Sequence, residues 1–225
     1  MKLPQAISVI LGANIGTTIT AQLIAFNIGD YAWIFVFVGF IMMFFLKHKE
    51  KIRDIGEIAF GFGLLFVGIN TMGDVMKPLA KAQAFTDLML KVSDIPILGV
   101  LLGIISTMVI QSSSAVIAVL QNLAATPGSD GVTSVIGLTG ALPILFGSNI
   151  GTTIIALMAS VGASVNAKRT AVAHTIFNFG GTLIFIWFIP QISKLVHWLS
   201  PKGAEVGVIA REIANAHLLF NVVCT

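Results

Sequence analysis

A chain of 225 residues that is 56% apolar and only 10% charged is far from an ordinary soluble domain, in which about a quarter of residues carry charge. Thirteen Lys and Arg against ten Asp and Glu leave a net +3, which excludes nucleic acid as a partner. One cysteine excludes a disulfide framework or thiolate metal centre, and the four histidines form no HExxH pair. The chain reads as an all-α integral membrane protein.

Uncharged runs mark the spans, because a hydrocarbon core of about 30 Å takes roughly 20 apolar helical residues. Leu3 to Gly29 is the first, and Tyr31 to Leu46 the second, with Tyr31 and Trp33 at one end and Lys47 at the other as interfacial anchors. Ile58 to Gly73 follows. Residues 77 to 94, with Lys77, Lys81, Asp87, Lys91 and Asp94 among apolar positions, read as an amphipathic connector. Two long uncharged runs come next, Ile95 to Ser129 and Gly131 to Ala167, separated by Asp130. Thr170 to Ser193 is a further span. Ile213 to Thr225 is only 13 residues, about 20 Å of helix, so the expectation is a last span cut before it crosses. No signal peptide is legible at the start, where Met1-Lys2 leads straight into an apolar segment.

Basic loops set the orientation. The cluster Lys47-His48-Lys49-Glu50-Lys51-Ile52-Arg53 and the pair Lys168-Arg169 are both expected on the cytoplasmic side. Residues 74 to 94 then lie outside, and the stretch 95 to 167 has to cross an odd number of times although it holds two long uncharged runs. One run therefore enters and returns. The first is the better candidate, since Gln111-Ser112-Ser113-Ser114 sits at its middle with about 15 apolar residues on either side. Half-helices of that length bring a polar tip near the midplane, which is tolerated only where protein encloses it. The alternative is one long tilted helix kinked at the serines.

The chain carries an internal duplication. Gly12-Ala13-Asn14-Ile15-Gly16-Thr17-Thr18-Ile19 recurs as Gly147-Ser148-Asn149-Ile150-Gly151-Thr152-Thr153-Ile154, seven identities in eight at an offset of 135. On the orientation above, the two copies run in opposite directions, the pattern of an inverted-repeat secondary transporter with its site near the midplane. A duplicated helix-packing motif is the simpler reading. The chemistry favours transport: glycines let a helix unwind and free backbone ligands, while Asn and Thr supply neutral oxygens for a hard monovalent cation. A helix restarting at Ala115 would aim its positive end at an anion. From Ile95 to Ala167 the one charged residue is Asp130, so no buried Lys or Arg neutralises an anion and no buried carboxylate relays protons there. Coupling to Na⁺ fits this lining better than coupling to H⁺. A weaker echo, Ala173-His174-Thr175-Ile176-Phe177-Asn178 and Ala216-His217-Leu218-Leu219-Phe220-Asn221, places His and Asn at i and i+4 on one helix face. These four have either an interhelical or a supporting site role.

On these residues the sequence resembles the type II sodium-dependent phosphate cotransporter family, in particular its bacterial members. That family is marked by two QSSS motifs, each followed by a GxNIGT-type motif, in inverted repeats. Gln111-Ser112-Ser113-Ser114-Ala115 with Gly147 to Thr153 is the second pair, and Asn14 with its neighbours is the tail of the first. Counting the same 38 residues back from Asn14 falls before Met1, so the chain is expected to be truncated at both ends, its first QSSS lying upstream. The resemblance implies an inverted-repeat transporter core with a re-entrant hairpin and discontinuous helices. Residues 1–76 would be the remainder of the first repeat, 77–94 a connector, and 95–225 the second repeat. It implies phosphate at Gln111, Ser112 and Ser113, and sodium, the only metal expected, at Ser114, Asn149, Thr152, Thr153, Asn14, Thr17 and Thr18. His174, Asn178, His217 and Asn221 would support them. No cofactor is implied beyond the coupling ion. The expected partners are inorganic phosphate, Na⁺ and the bilayer of a bacterial inner membrane, with a PhoU-like cytoplasmic domain beyond the C-terminus. The function implied is sodium-coupled phosphate symport by alternating access. Two other readings stand beside it: a non-transporting scaffold or regulatory subunit that keeps the repeats, and an intramembrane hydrolase with a nucleophile among Ser112 to Ser114 and His174 or His217 as base.

Overall fold

The computed structural model describes every residue except 1, 2, 27, 47, 48, 80, 81 and 129, and gives only the backbone at 73, 76, 77, 79, 85 and 86. The described residues form ten α-helices and no strand: α1 (Leu3–Ile24), α2 (Ala32–Phe45), α3 (Glu50–Leu79), α4 (Gln83–Asp94), α5 (Pro96–Ile110), α6 (Ser113–Ala124), α7 (Gly137–Ala159), α8 (Val165–Phe185), α9 (Ile189–Leu199) and α10 (Glu205–Cys224). Six segments are long and apolar enough to cross a membrane, which makes this a multi-pass, all-α membrane protein. The outward surface is correspondingly apolar, with Phe37, Phe45, Ile58 and Val109 all strongly exposed.

Close glycine contacts fix how the helices pair. Helices α2 and α3 run antiparallel, a Cβ at Gly39 lying 2.4 Å from the Phe60 nitrogen and one at Gly63 lying 2.6 Å from that of Val36. Helices α5 and α7 are parallel: Gly99 faces Pro143, Gly103 faces Ile144 and Ser148, and Gly151 faces Thr107. The matched rows of small residues let two backbones approach until side chains no longer fit between them.

The hairpin is present. Ser93, just before α5, donates from Oγ to the Ile136 carbonyl at 3.2 Å. The Val135 N–H donates to the Thr126 carbonyl, just beyond α6, at 3.2 Å. The start of α5, the end of α6 and the start of α7 therefore share one end of the molecule, while the α5–α6 junction lies a helix length away. A single tilted helix is excluded. Helices α5 and α6 form a hairpin, and α7 is long and apolar enough to cross a membrane.

Helix α1 packs on α10, α8 and α6 and runs opposite in direction to α7. Leu3, Ala6 and Ile10 share a cavity with Ala156 and Ala159 at the end of α7. At the other end of α1, Gln22 hydrogen-bonds Asn215 and Arg211 on α10. Helix α10 follows α7, since Glu205 accepts from the Ser134 N–H before α7 and His217 meets Asn149 within it. The described part of the first basic loop, at the start of α3, and Lys168-Arg169 fall at the same end as the start of α1; Lys47 and His48 lie outside the described residues.

Several expectations are corrected. The last helix is not a 13-residue stub: α10 has 20 residues and begins at Glu205. Arg211 and Glu212 lie inside it because each has a partner, Arg211 donating to Gln22 and stacking 3.5 Å from the Phe26 ring centroid, and Glu212 meeting His197. The connector does not start at 77, because α3 runs on to Leu79 and α4 begins at Gln83; Lys81 lies outside the described residues. Helix α6 restarts at Ser113 rather than Ala115. Neither repeated motif unwinds: α1 and α7 stay helical through both. In the second copy the glycines are used for close approach, a Cβ at Gly147 falling 2.0 Å from the Val100 carbonyl oxygen, whereas Gly12 and Gly16 face open space.

Candidate functional site

The hairpin tip is built by one sharp reversal. Gln111 ends α5 with φ of 59°, the left-handed conformation that closes helices, and its N–H donates to the Thr107 carbonyl at 2.7 Å. Ser112 is extended and caps α6, its Oγ accepting from the Ala115 N–H at 3.2 Å. The Gln111 side chain is left exposed and Ser112, Ser113 and Ser114 half-buried. The first turn of α6 holds no acidic residue, so its amide end is an uncompensated positive pole with hydroxyls around it.

The two repeated motifs have the same internal bonding. Thr17 and Thr152 donate to the carbonyls four residues back, Ala13 at 3.0 Å and Ser148 at 3.2 Å. Thr18 and Thr153 donate three residues back, to Ile15 at 2.6 Å and Ile150 at 2.8 Å. Each hydroxyl has thereby spent its proton and keeps lone pairs for a cation.

The histidines cross between helices. His174 Nε2 on α8 meets Asn14 Oδ1 on α1 at 3.0 Å, and His217 Nε2 on α10 meets Asn149 Oδ1 on α7 at 3.3 Å. Asn178 and Asn221 stay within their own helices, donating to the His174 carbonyl at 3.1 Å and the His217 carbonyl at 2.8 Å. Each repeated Asn thus has one imidazole partner from a different helix. The hydrogen-bonded sets join Asn14 with His174 and Asn149 with His217. No hydrogen bond among those described runs from Gln111, Ser113 or Ser114 to the motif side chains; the link is through packing, with the Thr107 side chain against Gly151.

Five buried side-chain polar atoms among the described residues lack a partner, and Asn149 Nδ2, His217 Nδ1 and Thr107 Oγ1 are three of them. An unpaired buried polar atom costs about 1–3 kcal/mol, and these three gather about the second motif, where a ligand could pair them. A cavity of about 530 Å³ between the start of α1 and the α7–α8 turn reaches Ile10 and Ala171. Both are one helical turn short of the Asn14–His174 pair.

The sequence did not single out Thr107, Gln121 or Glu212. Thr107 stands four residues before Gln111, hence on the same helix face. Gln121 is buried and donates from Nε2 to the carbonyls of Ala21 and Ala210, at 3.0 and 2.9 Å, tying α6 to α1 and α10. Glu212, beside Arg211, is a buried charge inside a candidate span, which is itself a signal of function in a membrane.

A family model described as Na⁺/Pi-cotransporter matches residues 1–74 and 67–200. The Uncharacterized protein YqeW of Bacillus subtilis (strain 168) is 34% identical over 223 residues, covering 99% of this chain and 68% of that protein. The Putative inorganic phosphate export protein YjbB of Escherichia coli (strain K12) is 24% identical over 224 residues, 99% of this chain and 38% of that protein. Sodium-dependent phosphate transport protein 2C of Rattus norvegicus is 31% identical over 126 residues, 54% of this chain and 20% of that protein. No solved structure is significantly similar to the chain.

Proposed function

Because the chain belongs to the Na⁺/Pi-cotransporter family, we propose that it forms the core of a sodium-coupled transporter of inorganic phosphate in a bacterial plasma membrane. The family is one of phosphate transporters, not of enzymes. Both histidines that could have served as a hydrolase base are engaged by asparagines. Phosphate is held at the hairpin tip by Gln111, Ser112 and Ser113, where side-chain donors surround the positive end of α6. Sodium sits with Ser114 and the oxygens of Asn149, Thr152 and Thr153, the first motif supplying the equivalent Asn14, Thr17 and Thr18. A dianion in a lining with no Lys or Arg requires a co-bound cation, which is how coupling arises.

The observation that carries the reading is the set of unpaired atoms on Asn149, His217 and Thr107 beside a helical hairpin that returns on itself. The opposed directions of α1 and α7 support an inverted repeat, and the cavity below Asn14 supports a path to the cytoplasmic side, which the described residues 49–53 and 168–169 share with the start of α1. Net flux in this scheme follows the ion and phosphate gradients, and the export function in the name of one relative favours outward flux as the second reading.

The test is phosphate flux in proteoliposomes. A sodium gradient should drive ³²P movement that a potassium gradient does not, and Asn149→Ala and Ser113→Ala should each lower the rate at least tenfold. Equal flux in K⁺ would remove the coupling, and unchanged flux in both variants would remove the site. Absence of flux with phosphate binding intact would favour the scaffold reading.

A further inference from the structure

We propose that the face of α10 between α1 and α9 is a phospholipid site, in which Arg211 holds the headgroup phosphate and an apolar groove beside it holds an acyl chain. The inference stands on charge and geometry and does not depend on the transport reading. Arg211 is a half-buried cation inside the candidate span Glu205–Cys224. No carboxylate pairs with it among the described residues, since the adjacent Glu212 is taken by His197. One of its N–H groups donates to Gln22 Oε1 at 2.7 Å, and its guanidinium stacks 3.5 Å from the Phe26 ring centroid. Both partners are neutral, so the guanidinium is fixed in place with its charge uncompensated and with donors left for a second acceptor. A cation in a span either finds a counter-charge or reaches for the headgroups.

The second observation is a cavity of about 320 Å³ lined by Leu199, Asn215, Leu218, Leu219 and Val222. Arg211, Asn215, Leu218 and Val222 are spaced i, i+4, i+7 and i+11, which puts them on one face of α10. The groove therefore continues the stripe that Arg211 heads, with Leu199 at the end of α9 as its side wall. Leu218 and Val222 are exposed along it. From Arg211 to Val222 the helix rises about 16 Å, and one leaflet's share of the hydrocarbon core is about 15 Å. Arg211 stands two turns from the start of α10, so the charge is at the shallow end of the stripe and the groove at the deep end, as in a lipid lying in that leaflet.

Asn215 lines the cavity between charge and groove and is bonded to Gln22 and Ser200, which places a polar step at the level of the glycerol esters. Acidic neighbours do not oppose a phosphate here, because Glu205 and Glu212 line a different cavity, against α7 and α9. The planar fork of an arginine suits phosphate oxygens better than a point charge does. A lipid seated on this face would touch α1 through Phe26, α9 through Leu199 and α10 along its length, and so hold together the three helices that meet at Gln22, Asn215 and Ser200.

The test is native mass spectrometry of the full-length protein in detergent with added phosphatidylglycerol, alongside thermal unfolding of the same samples. The wild type is expected to retain the lipid and to unfold at a higher temperature in its presence. Arg211→Gln should weaken retention by about tenfold. Val222→Trp, which fills the groove from an exposed position, should weaken it comparably while unfolding like the wild type when no lipid is added. Diacylglycerol, which has the tails without the phosphate, should bind about tenfold more weakly than phosphatidylglycerol, and inorganic phosphate should not displace the lipid. Unchanged retention in either variant, or equal binding of diacylglycerol, would overturn the proposal. Displacement by inorganic phosphate would also overturn it, making Arg211 a site for a free anion. None of these readings measures phosphate movement, so a protein that transports nothing can still bear the proposal out, and a working transporter can still refute it.

Discussion

Gln111 offers a way to separate backbone strain from side-chain function. Its φ of 59° places an L-residue in the left-handed region, at about 1–2 kcal/mol relative to the right-handed one. Glycine adopts that conformation freely, yet loses about 0.5–1 kcal/mol more conformational freedom on folding. Gln111→Gly is therefore expected to leave stability between unchanged and about 1.5 kcal/mol higher, a melting shift of only a few degrees by analogy with domains of this size. The side chain is exposed at the tip and makes no hydrogen bond among those described, so its removal leaves no buried partner orphaned. Phosphate affinity should nevertheless fall by about tenfold, the equivalent of one good hydrogen bond to a charged group. Thermal unfolding in detergent and phosphate binding measured on the same preparation provide the two readings. A Gln111→Gly protein that binds phosphate like the wild type would refute a ligand role for this side chain. One that unfolds many degrees lower would refute the account of the turn.

Other consequences follow from the packing. Gly103→Ala puts a Cβ 2.1 Å from the Ile144 carbonyl oxygen, so α5 has to separate from α7 at a cost of about 1–3 kcal/mol; Gly180→Ala, with open space around it, should stabilise by about 0.5–1 kcal/mol, and the two melting temperatures should diverge. His217→Phe removes the partner of buried Asn149 and should cost about 1–3 kcal/mol together with sodium affinity, read by sodium-dependent shifts in unfolding. Asp130, in the loop between α6 and α7, is held down to about 2 by the Thr133 hydroxyl and the N–H groups of Val132 and Thr133. The loop order it supplies is thus present above the ordinary 3.8 and lost as pH falls towards 2; a carboxyl titration by NMR should show that midpoint, and Thr133→Val should raise it.

How much was legible follows from the kind of signal each element leaves. The hairpin at 95–129 was readable because orientation from basic loops and a polar quartet in mid-run constrain each other. The motif threonines were readable because a duplication is visible without any structure. The length of α10 was not, because a rule that stops a span at each charge cannot see that Glu212 has His197 and Arg211 has Gln22 and Phe26 as partners. Pairing between distant segments is invisible to a local scan. Unwinding at the motif glycines was expected from the flexibility of Gly, yet Gly147 and Gly151 answer to a neighbouring helix instead. Gly-x-x-x-Gly spacing serves both ends, and only the position of α5 decides.

The two halves of the candidate site are therefore not in the same mechanical situation. Around the second motif, Gly147 and Gly151 are clamped by α5, and Asn149 is met by His217 from a helix that Gln121 ties to α1. Around the first, Gly12 and Gly16 face open space and Asn14 is met by His174 from α8 alone. A cation bound at Asn149 would complete unpaired atoms in a rigid frame, whereas one bound at Asn14 would lie on the half of α1 away from its ties to α10 and α6 at Gln22 and Ala21, where movement against α8 would open or close the cavity beneath it. Substituting His174 should accordingly alter the rate of exchange between the two access states more than affinity, and substituting His217 should do the reverse. Pre-steady-state sodium currents compared with equilibrium sodium binding would separate the two, and equal effects from both histidines would remove the mechanical distinction.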